Sequence, residues 1–118
     1  MDASDNSQPT LLVITNLPDS DSARQLAAVL IESRLAACVN ILPPCLSVYR
    51  WQGQVETANE TPLLIKTTET RYAALEAAIR AAHPYELPEI VAVPVTAGLP
   101  AYLGWVAAET RPDTTTPC

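Results

Sequence analysis

Residues 46–56 of this 118-residue chain read Leu-Ser-Val-Tyr-Arg-Trp-Gln-Gly-Gln-Val-Glu. The first six have strand character, Gln52-Gly53 offers a tight turn, and Val55 begins a returning strand. Apolar and β-branched residues continue the pattern on both sides of this stretch, with an interruption at Pro43-Pro44. The sequence therefore predicts one long, bent hairpin over residues 39–67.

A hairpin of this length is too long for a small domain to cover, so its outer end is expected to protrude. Tyr49 and Trp51 fall on one face of it, and paired strands that protrude are favourable places for another subunit to add. Tyr102 and Trp105 lie in a predicted terminal helix. Because large aromatic side chains are enriched at interfaces, we expect all four to be contact surfaces between subunits.

The flanking segments place the hairpin inside an α+β fold. Residues 11–15 predict a strand, and a helix capped by Asp19 or Ser20 should follow it. A second helix near Thr70 ends before Pro84, residues 90–95 predict a buried strand, and Pro100 can begin a last helix. The apolar stripes of the first two helices are Ala23, Leu26, Ala27, Leu30, Ile31 and Leu35, and Tyr72, Leu75, Ile79 and Ala82.

This order, β-α-β-β-α-β with an extra C-terminal helix, is typical of a ferredoxin-like antiparallel sheet with two helices on one face. The last helix or oligomerisation must then cover the other face. Length and composition allow a single domain over residues 10–111, between flexible tails at 1–9 and 112–118.

The net charge is −6, with seven basic and thirteen acidic residues, which disfavours binding to nucleic acid or to an anionic membrane. The N-terminus has no features of a signal peptide, so the sequence predicts a cytosolic protein. A reducing compartment also suits three cysteines without a Cys-x-x-Cys pair: Cys38, Cys45 and Cys118.

The single histidine lies in residues 82–90, which read AHPYELPEI. As a metal ligand, His83 would suit Cu(II) or Zn(II), and Glu86 and Glu89 could add carboxylate oxygens. One histidine per chain is too few for a tight imidazole-rich site, so such binding would be weak. The structural alternative places His83 at the end of the second helix, where its ring can hydrogen-bond to a carbonyl group.

Lys66 is a lone cation within an apolar strand segment. It must reach solvent or pair with a carboxylate, because a buried unpaired ammonium group is too costly. Lys66 could form a pocket between subunits with Tyr85 and Glu60, or pair with Glu86 or Glu89. Both a fixed ion pair and an anion-binding corner are open at this point.

Several segments together resemble the CutA family, the divalent-cation tolerance proteins. They occur in the family's order over roughly residues 11–111, and they read RLAACVNILP (34–43), SVYRWQGQVE (47–56), LIKT (64–67), HPYELPEI (83–90) and YLGW (102–105). The resemblance implies a PII-like homotrimer with interlocking hairpins. It also implies a cytosolic, non-enzymatic role in tolerance of copper and other divalent cations, with no required cofactor.

In some bacterial relatives a second histidine precedes this one and a cysteine ends the first strand, but here these positions hold Ala82 and Thr15. The resemblance leaves one alternative function, a PII-like signalling trimer that binds a small anionic ligand between subunits. An acid-base enzyme using His83, Tyr85 and Glu86 ranks below both. With three glycines, the chain has neither a P-loop nor a dinucleotide-binding motif.

Overall fold

The computed structural model describes residues 8–112, which form one antiparallel sheet and three α-helices. The predicted flexible tails fall largely on residues 1–7 and 113–118, outside the described part. In chain order the elements are β1 (Thr10–Leu17), α1 (Ser20–Glu32), β2 (Cys38–Ile41), β3 (Cys45–Trp51), β4 (Gln54–Thr68), α2 (Tyr72–Ala82), β5 (Ile90–Pro94) and α3 (Pro100–Glu109). A 3₁₀ turn at Glu69–Arg71 leads into α2.

The 15-residue strand β4 organises the sheet. The strand order is β2-β4-β1-β5, and β3 also pairs with β4, beyond the end of β2. All pairings are antiparallel. Strands β2 and β3 together form one side of the hairpin, and the long strand β4 forms the other and pairs with both. The predicted bent hairpin is confirmed, with its break at residues 42–44 between β2 and β3.

The turn at the tip of the hairpin has the backbone that its residues favour. Gln52 and Gly53 have φ values of 50° and 82°, and Trp51 pairs with Gln54. Two-residue turns with positive φ at both positions match the twist of the strands they join. Glycine adopts this backbone without strain, so Gly53 fixes the register of β3 against β4.

Helices α1 and α2 pack on one face of the sheet. Asp19 caps α1, as predicted, by accepting a hydrogen bond from the Ser22 amide at 2.8 Å. The apolar stripes of the helices meet alternate residues of β1 and β4 in one buried cluster. Its helix members are Ala23, Leu26, Leu30, Leu75 and Ile79, and its strand members are Val13, Leu17, Leu63 and Ile65.

Helix α3 covers part of the opposite face. Lys66 follows the core residue Ile65 and pairs in register with Cys38, so both side chains lie on the face turned away from α1 and α2. Tyr102 of α3 lies close to Cys38, so α3 packs on that face, against β4 and β1. Val106 of α3 is fully buried there.

Two predictions of burial are wrong for the single chain. Strand β5 is an edge strand, a position that suits its Pro94, but it is not buried: Val91 and Val93 are 46% and 44% exposed on the face that α3 only partly covers. At the ends of the helices, Ile31 and Ala82 are exposed. The apolar spacing continues to the ends of both helices, but the buried side chain comes later in each case. After Ile31 it is Leu35, and after Ala82 it is His83.

Thr15 has a buried hydroxyl group, and its Oγ1 has no hydrogen-bond partner among residues 8–112. We expect Thr15→Val to raise the free energy of unfolding by about 1 kcal/mol, because it removes an unpaired polar group and keeps the shape. Thr67→Val is the matched control, since the equally buried Thr67 hydroxyl donates to the Leu35 carbonyl at 2.7 Å. It should lower stability by about 1 kcal/mol. Urea denaturation measures both, and a loss of stability in Thr15→Val would contradict the expectation.

Candidate functional site

A cavity of about 730 Å³ opens between the hairpin and the connection from α2 to β5. Its wall has three parts: the end of β1, the strands of the hairpin and the connection over residues 84–89. The lining residues are Asn16, Ser47, Val48, Tyr49, Trp51, Glu60, Pro84, Tyr85, Glu86, Leu87 and Glu89. Most of the sequence-predicted site residues therefore meet in one place.

His83 fixes the connection that forms one wall of the cavity. It is the C-terminal cap of α2 and is 8% exposed. Its Nε2 donates to the Asn16 carbonyl oxygen at 2.7 Å, and the Tyr85 amide donates to its Nδ1 at 3.2 Å. This is the bond to a carbonyl group that the structural interpretation of His83 predicted. Both ring nitrogens are engaged, so ligation of a metal would require His83 to release one of these bonds.

The ring of Tyr85 packs at a tilt against His83, and Tyr85 lies beside Glu60 of the hairpin. The two rings lie 4.8 Å apart between centroids, at an interplanar angle of 53°. Burial, followed by the charge of Glu60 and a hydrogen bond to it, raises the pKa of Tyr85 to about 12. The phenol therefore stays protonated beside the Glu60 carboxylate of β4.

Three carboxylates line the cavity. Glu60 lies beside Tyr85, and Glu89 Oε1 accepts from Asn16 Nδ2 at 2.9 Å. Glu86 is exposed. Each of these groups keeps free lone pairs, because an ionised carboxylate can accept about four hydrogen bonds.

Lys66 lies elsewhere on the sheet. Its Nζ donates to Asn40 Oδ1 and lies 4.0 Å from Cys38 Sγ, next to α3. Within one chain the structure thus brings Tyr85 and Glu60 together without Lys66. The sequence grouped Lys66 with these residues because it is the only cation in an apolar segment and was expected to need a carboxylate partner. Its partner, Asn40, is neutral and lies on the neighbouring strand β2, which only the strand register reveals.

The single chain does not fit a closed metal centre. Within residues 8–112, no group of three or more His, Cys, Asp and Glu side chains is arranged to hold a metal ion. Tight sites for Zn(II) or Cu(II) need three or four such ligands. The only imidazole is committed to Asn16 and Tyr85.

The two faces of the hairpin differ in character. Tyr49 and Trp51 share the cavity face with Glu60. The strand register places the side chains of three aliphatic residues on the other face, where Leu46, Val48 and Val55 are 64%, 63% and 68% exposed; of these, Val48 also borders the cavity. We call these three residues the aliphatic face. Sequence reasoning missed it, although the alternation of residues 46, 48 and 50 with 47, 49 and 51 carries the signal.

The other predicted contact residues lie on α3. Tyr102 and Trp105 are 39% and 44% exposed, and their ring centroids are 5.6 Å apart. Among the described helices, none is long and apolar enough to cross a membrane.

The raised pKa of Tyr85 gives stability a dependence on alkaline pH. In the folded protein the phenol holds its proton above its ordinary pKa of 10.0, so this stabilisation is complete below pH 10 and is lost as the pH rises to about 12. We expect Glu60→Gln to lower the pKa of Tyr85, because it removes the adjacent negative charge. Ultraviolet titration of phenolate measures this, and Tyr85→Phe identifies the transition. An unchanged titration in Glu60→Gln would contradict the assignment.

Comparisons with known proteins agree across the whole described domain. The family model for CutA1 divalent ion tolerance protein matches residues 11–109. The chain is 46% identical over 99 residues to the divalent-cation tolerance protein CutA of Thermus thermophilus, covering 84% of this chain and 96% of that protein. The chloroplastic CutA protein of Arabidopsis thaliana is 37% identical over 111 residues, which are 94% of this chain but 61% of that protein. The crystal structure of CutA1 from Oryza sativa matches with a TM-score of 0.87 and 40% identity, covering 90% of this chain and 97% of that one.

Proposed function

Because the chain belongs to the CutA1 divalent ion tolerance family, we propose that it acts in tolerance of divalent cations as a non-enzymatic homotrimer that binds these ions weakly. The charge of the cavity carries the proposal. Three glutamates line it, and among the described residues its lining includes no Lys, Arg or His. Such a wall attracts cations and repels anions.

We propose that the carboxylates, rather than His83, bind the ion. Glu86 and Glu89 are exposed, so they can bind an ion without leaving a buried position. His83 would have to give up a hydrogen bond to Asn16 or Tyr85. Two or three oxygen ligands that exchange readily with solvent give weak binding, and the affinity should follow the general order in which Cu(II) exceeds other divalent ions.

The homotrimer is supported by the amount of apolar surface that one chain leaves open. The aliphatic face and the exposed side of β5 are two exposed apolar areas, and such areas mark protein interfaces. The strand order, with β1 between β4 and β5, agrees with the proposed ferredoxin-like and PII-like architecture. A cytosolic location stays part of this proposal.

We propose that the protein is not an enzyme, because the candidate acid-base groups are already engaged within the fold. Transfer of a proton to a substrate needs a group within hydrogen-bond reach of that substrate. His83 is occupied by a backbone carbonyl and a backbone amide, and Tyr85 holds its proton to a pKa of about 12. The alternative, a small anionic ligand between subunits, has less support because the cavity is acidic and Lys66 lies elsewhere.

Calorimetric titration of Cu(II) and Zn(II) tests the ion site. We expect the double variant Glu86→Gln/Glu89→Gln to bind each ion about tenfold more weakly, because it removes two charged ligands. Glu32→Gln/Glu109→Gln is the matched control: both glutamates are exposed on helices and do not line the cavity, and the change in net charge is the same. Equal isotherms for the two double variants would refute direct binding at the cavity.

A further inference from the structure

Three arginines from distant parts of the chain meet at the end of the sheet that lies away from the tip of the hairpin. Arg34 follows α1, Arg71 ends the 3₁₀ turn between β4 and α2, and Arg111 follows α3. Arg34 is 37 positions from Arg71 and 77 positions from Arg111, but hydrogen bonds join it to both. We call these three residues the arginine corner. The fold thus concentrates positive charge at one place in a chain with a net charge of −6.

Arg34 occupies a backbone position that favours glycine. Its φ is 60°, just beyond the end of α1, and the next amide, that of Leu35, donates to the Leu30 carbonyl oxygen at 2.9 Å. The side chain of Arg34 donates from Nε to the Arg111 carbonyl oxygen at 3.0 Å and from Nη2 to that of Ala108 at 3.3 Å. These bonds satisfy carbonyl groups at the end of α3 and hold the guanidinium group of Arg34 in one position.

The guanidinium groups of Arg34 and Arg71 keep donors for a ligand. Arg71 is half-buried, and its Nε donates to the Arg34 carbonyl oxygen at 3.4 Å. Within residues 8–112, the hydrogen bonds of these two side chains go to main-chain carbonyl groups and not to carboxylates. A guanidinium group has more N–H donors than these bonds use. Arg111 is exposed, so its side chain can approach a ligand from the solvent side.

The charge and the donors of the arginine corner favour a phosphate group as the ligand. A phosphate group carries nearly two negative charges and three acceptor oxygens, and the planar guanidinium group binds it through paired N–H bonds. A carboxylate has one charge and two oxygens, so it would satisfy fewer donors. A long polyanion such as nucleic acid would also meet the negative charge of the rest of the chain. The ligand that fits best is therefore small.

We propose that the arginine corner binds a phosphate group, as inorganic phosphate or as part of a small phosphate ester. Arg71 and Arg111 would bond to its oxygens, and Arg34 holds the end of α3 and the loop between them. None of the three lines the cavity, and none is among the aromatic or aliphatic residues predicted to contact another subunit. This inference goes beyond the tolerance of metal ions, and it stands if the metal proposal fails.

Calorimetric titration of inorganic phosphate and of adenosine monophosphate into the whole chain tests the proposal. We expect saturable binding that Arg71→Gln weakens about fivefold, because the substitution removes a charged donor group. Arg80→Gln is the matched control: Arg80 is exposed in the last turn of α2, and the change in net charge is the same. It should leave the affinity unchanged. Equal affinities for the two compounds would identify the phosphate group alone as the ligand, and tighter binding of the nucleotide would identify a phosphate ester.

Arg111→Gln is the second variant, because Arg71 also bonds to the loop of Arg34 and its loss affects that loop as well. Arg111 is exposed, and glutamine keeps the main-chain carbonyl group that accepts from Arg34. This variant should also bind about fivefold more weakly, whereas Arg24→Gln, on the exposed side of α1, should not. The proposal is overturned if neither compound binds at millimolar concentration. Equal affinities in Arg111→Gln and Arg24→Gln would overturn it too.

Discussion

Replacing His83 with alanine is expected to lower the free energy of unfolding by about 3 kcal/mol. The ring is almost fully buried, and its two nitrogens bond to the Asn16 carbonyl and the Tyr85 amide. Alanine leaves both backbone groups without this partner and leaves a space under Tyr85. A buried donor or acceptor without a partner costs about 1 to 3 kcal/mol, and the lost packing adds to it.

Ala82→Gln is the matched control for this substitution. Residue 82 adjoins His83 at the end of α2 but is exposed, and glutamine is a good helix former, so the change should stay within about 0.5 kcal/mol. Denaturation in urea compares the two variants with the unaltered protein. A loss below about 1 kcal/mol in His83→Ala would show that the two bonds contribute little, and the structural role of the ring would have to be given up.

Leu46→Asp is expected to convert the proposed homotrimer into single chains. Leu46 lies in the aliphatic face and is 64% exposed in one chain, so the substitution costs little before assembly. Within a trimer, each of three symmetric copies would bury an unpaired carboxylate, and each burial costs several kcal/mol. Light scattering should then change from about three times 12.7 kDa to 12.7 kDa.

Ala77→Asp introduces the same charge on the exposed side of α2 and is the control for net charge. We expect it to keep the mass of the unaltered protein, because α2 is buried only through its opposite stripe. If Leu46→Asp also keeps that mass, the aliphatic face is not an interface. If the unaltered protein is itself a single chain, the trimer proposal is wrong.

The elements that sequence reasoning predicted well are those whose signal is local. The alternation around Gln52-Gly53 predicted the hairpin, because a two-residue turn and the period of a strand depend only on neighbouring residues. Asp19 was correct for the same reason, since a helix cap bonds within three residues. The segment from His83 to Glu89, which the sequence singled out, forms one wall of the cavity, and its role there stays a prediction.

The failures depend on residues that are distant in the chain. Strand β5 reads as a buried strand because apolar residues fill it, but the elements within residues 8–112 leave Val91 and Val93 nearly half exposed. The partner of Lys66 is set by the register of β2 against β4, a relation between residues 26 positions apart. Composition shows that a lysine needs a partner, but it does not show which strand supplies it.

Strand β4 has a consequence for local opening of the chain. Its inner half pairs with β1 and β2 over the core, whereas its outer half, up to Glu60, pairs only with β3 and is mostly exposed. Amide protons of the inner half should exchange with solvent only on global unfolding, and those of the outer half through fraying of the hairpin. The amide protons of one unbroken strand therefore exchange by two different routes. A neighbouring subunit that covered the outer half would slow its exchange to that of the inner half.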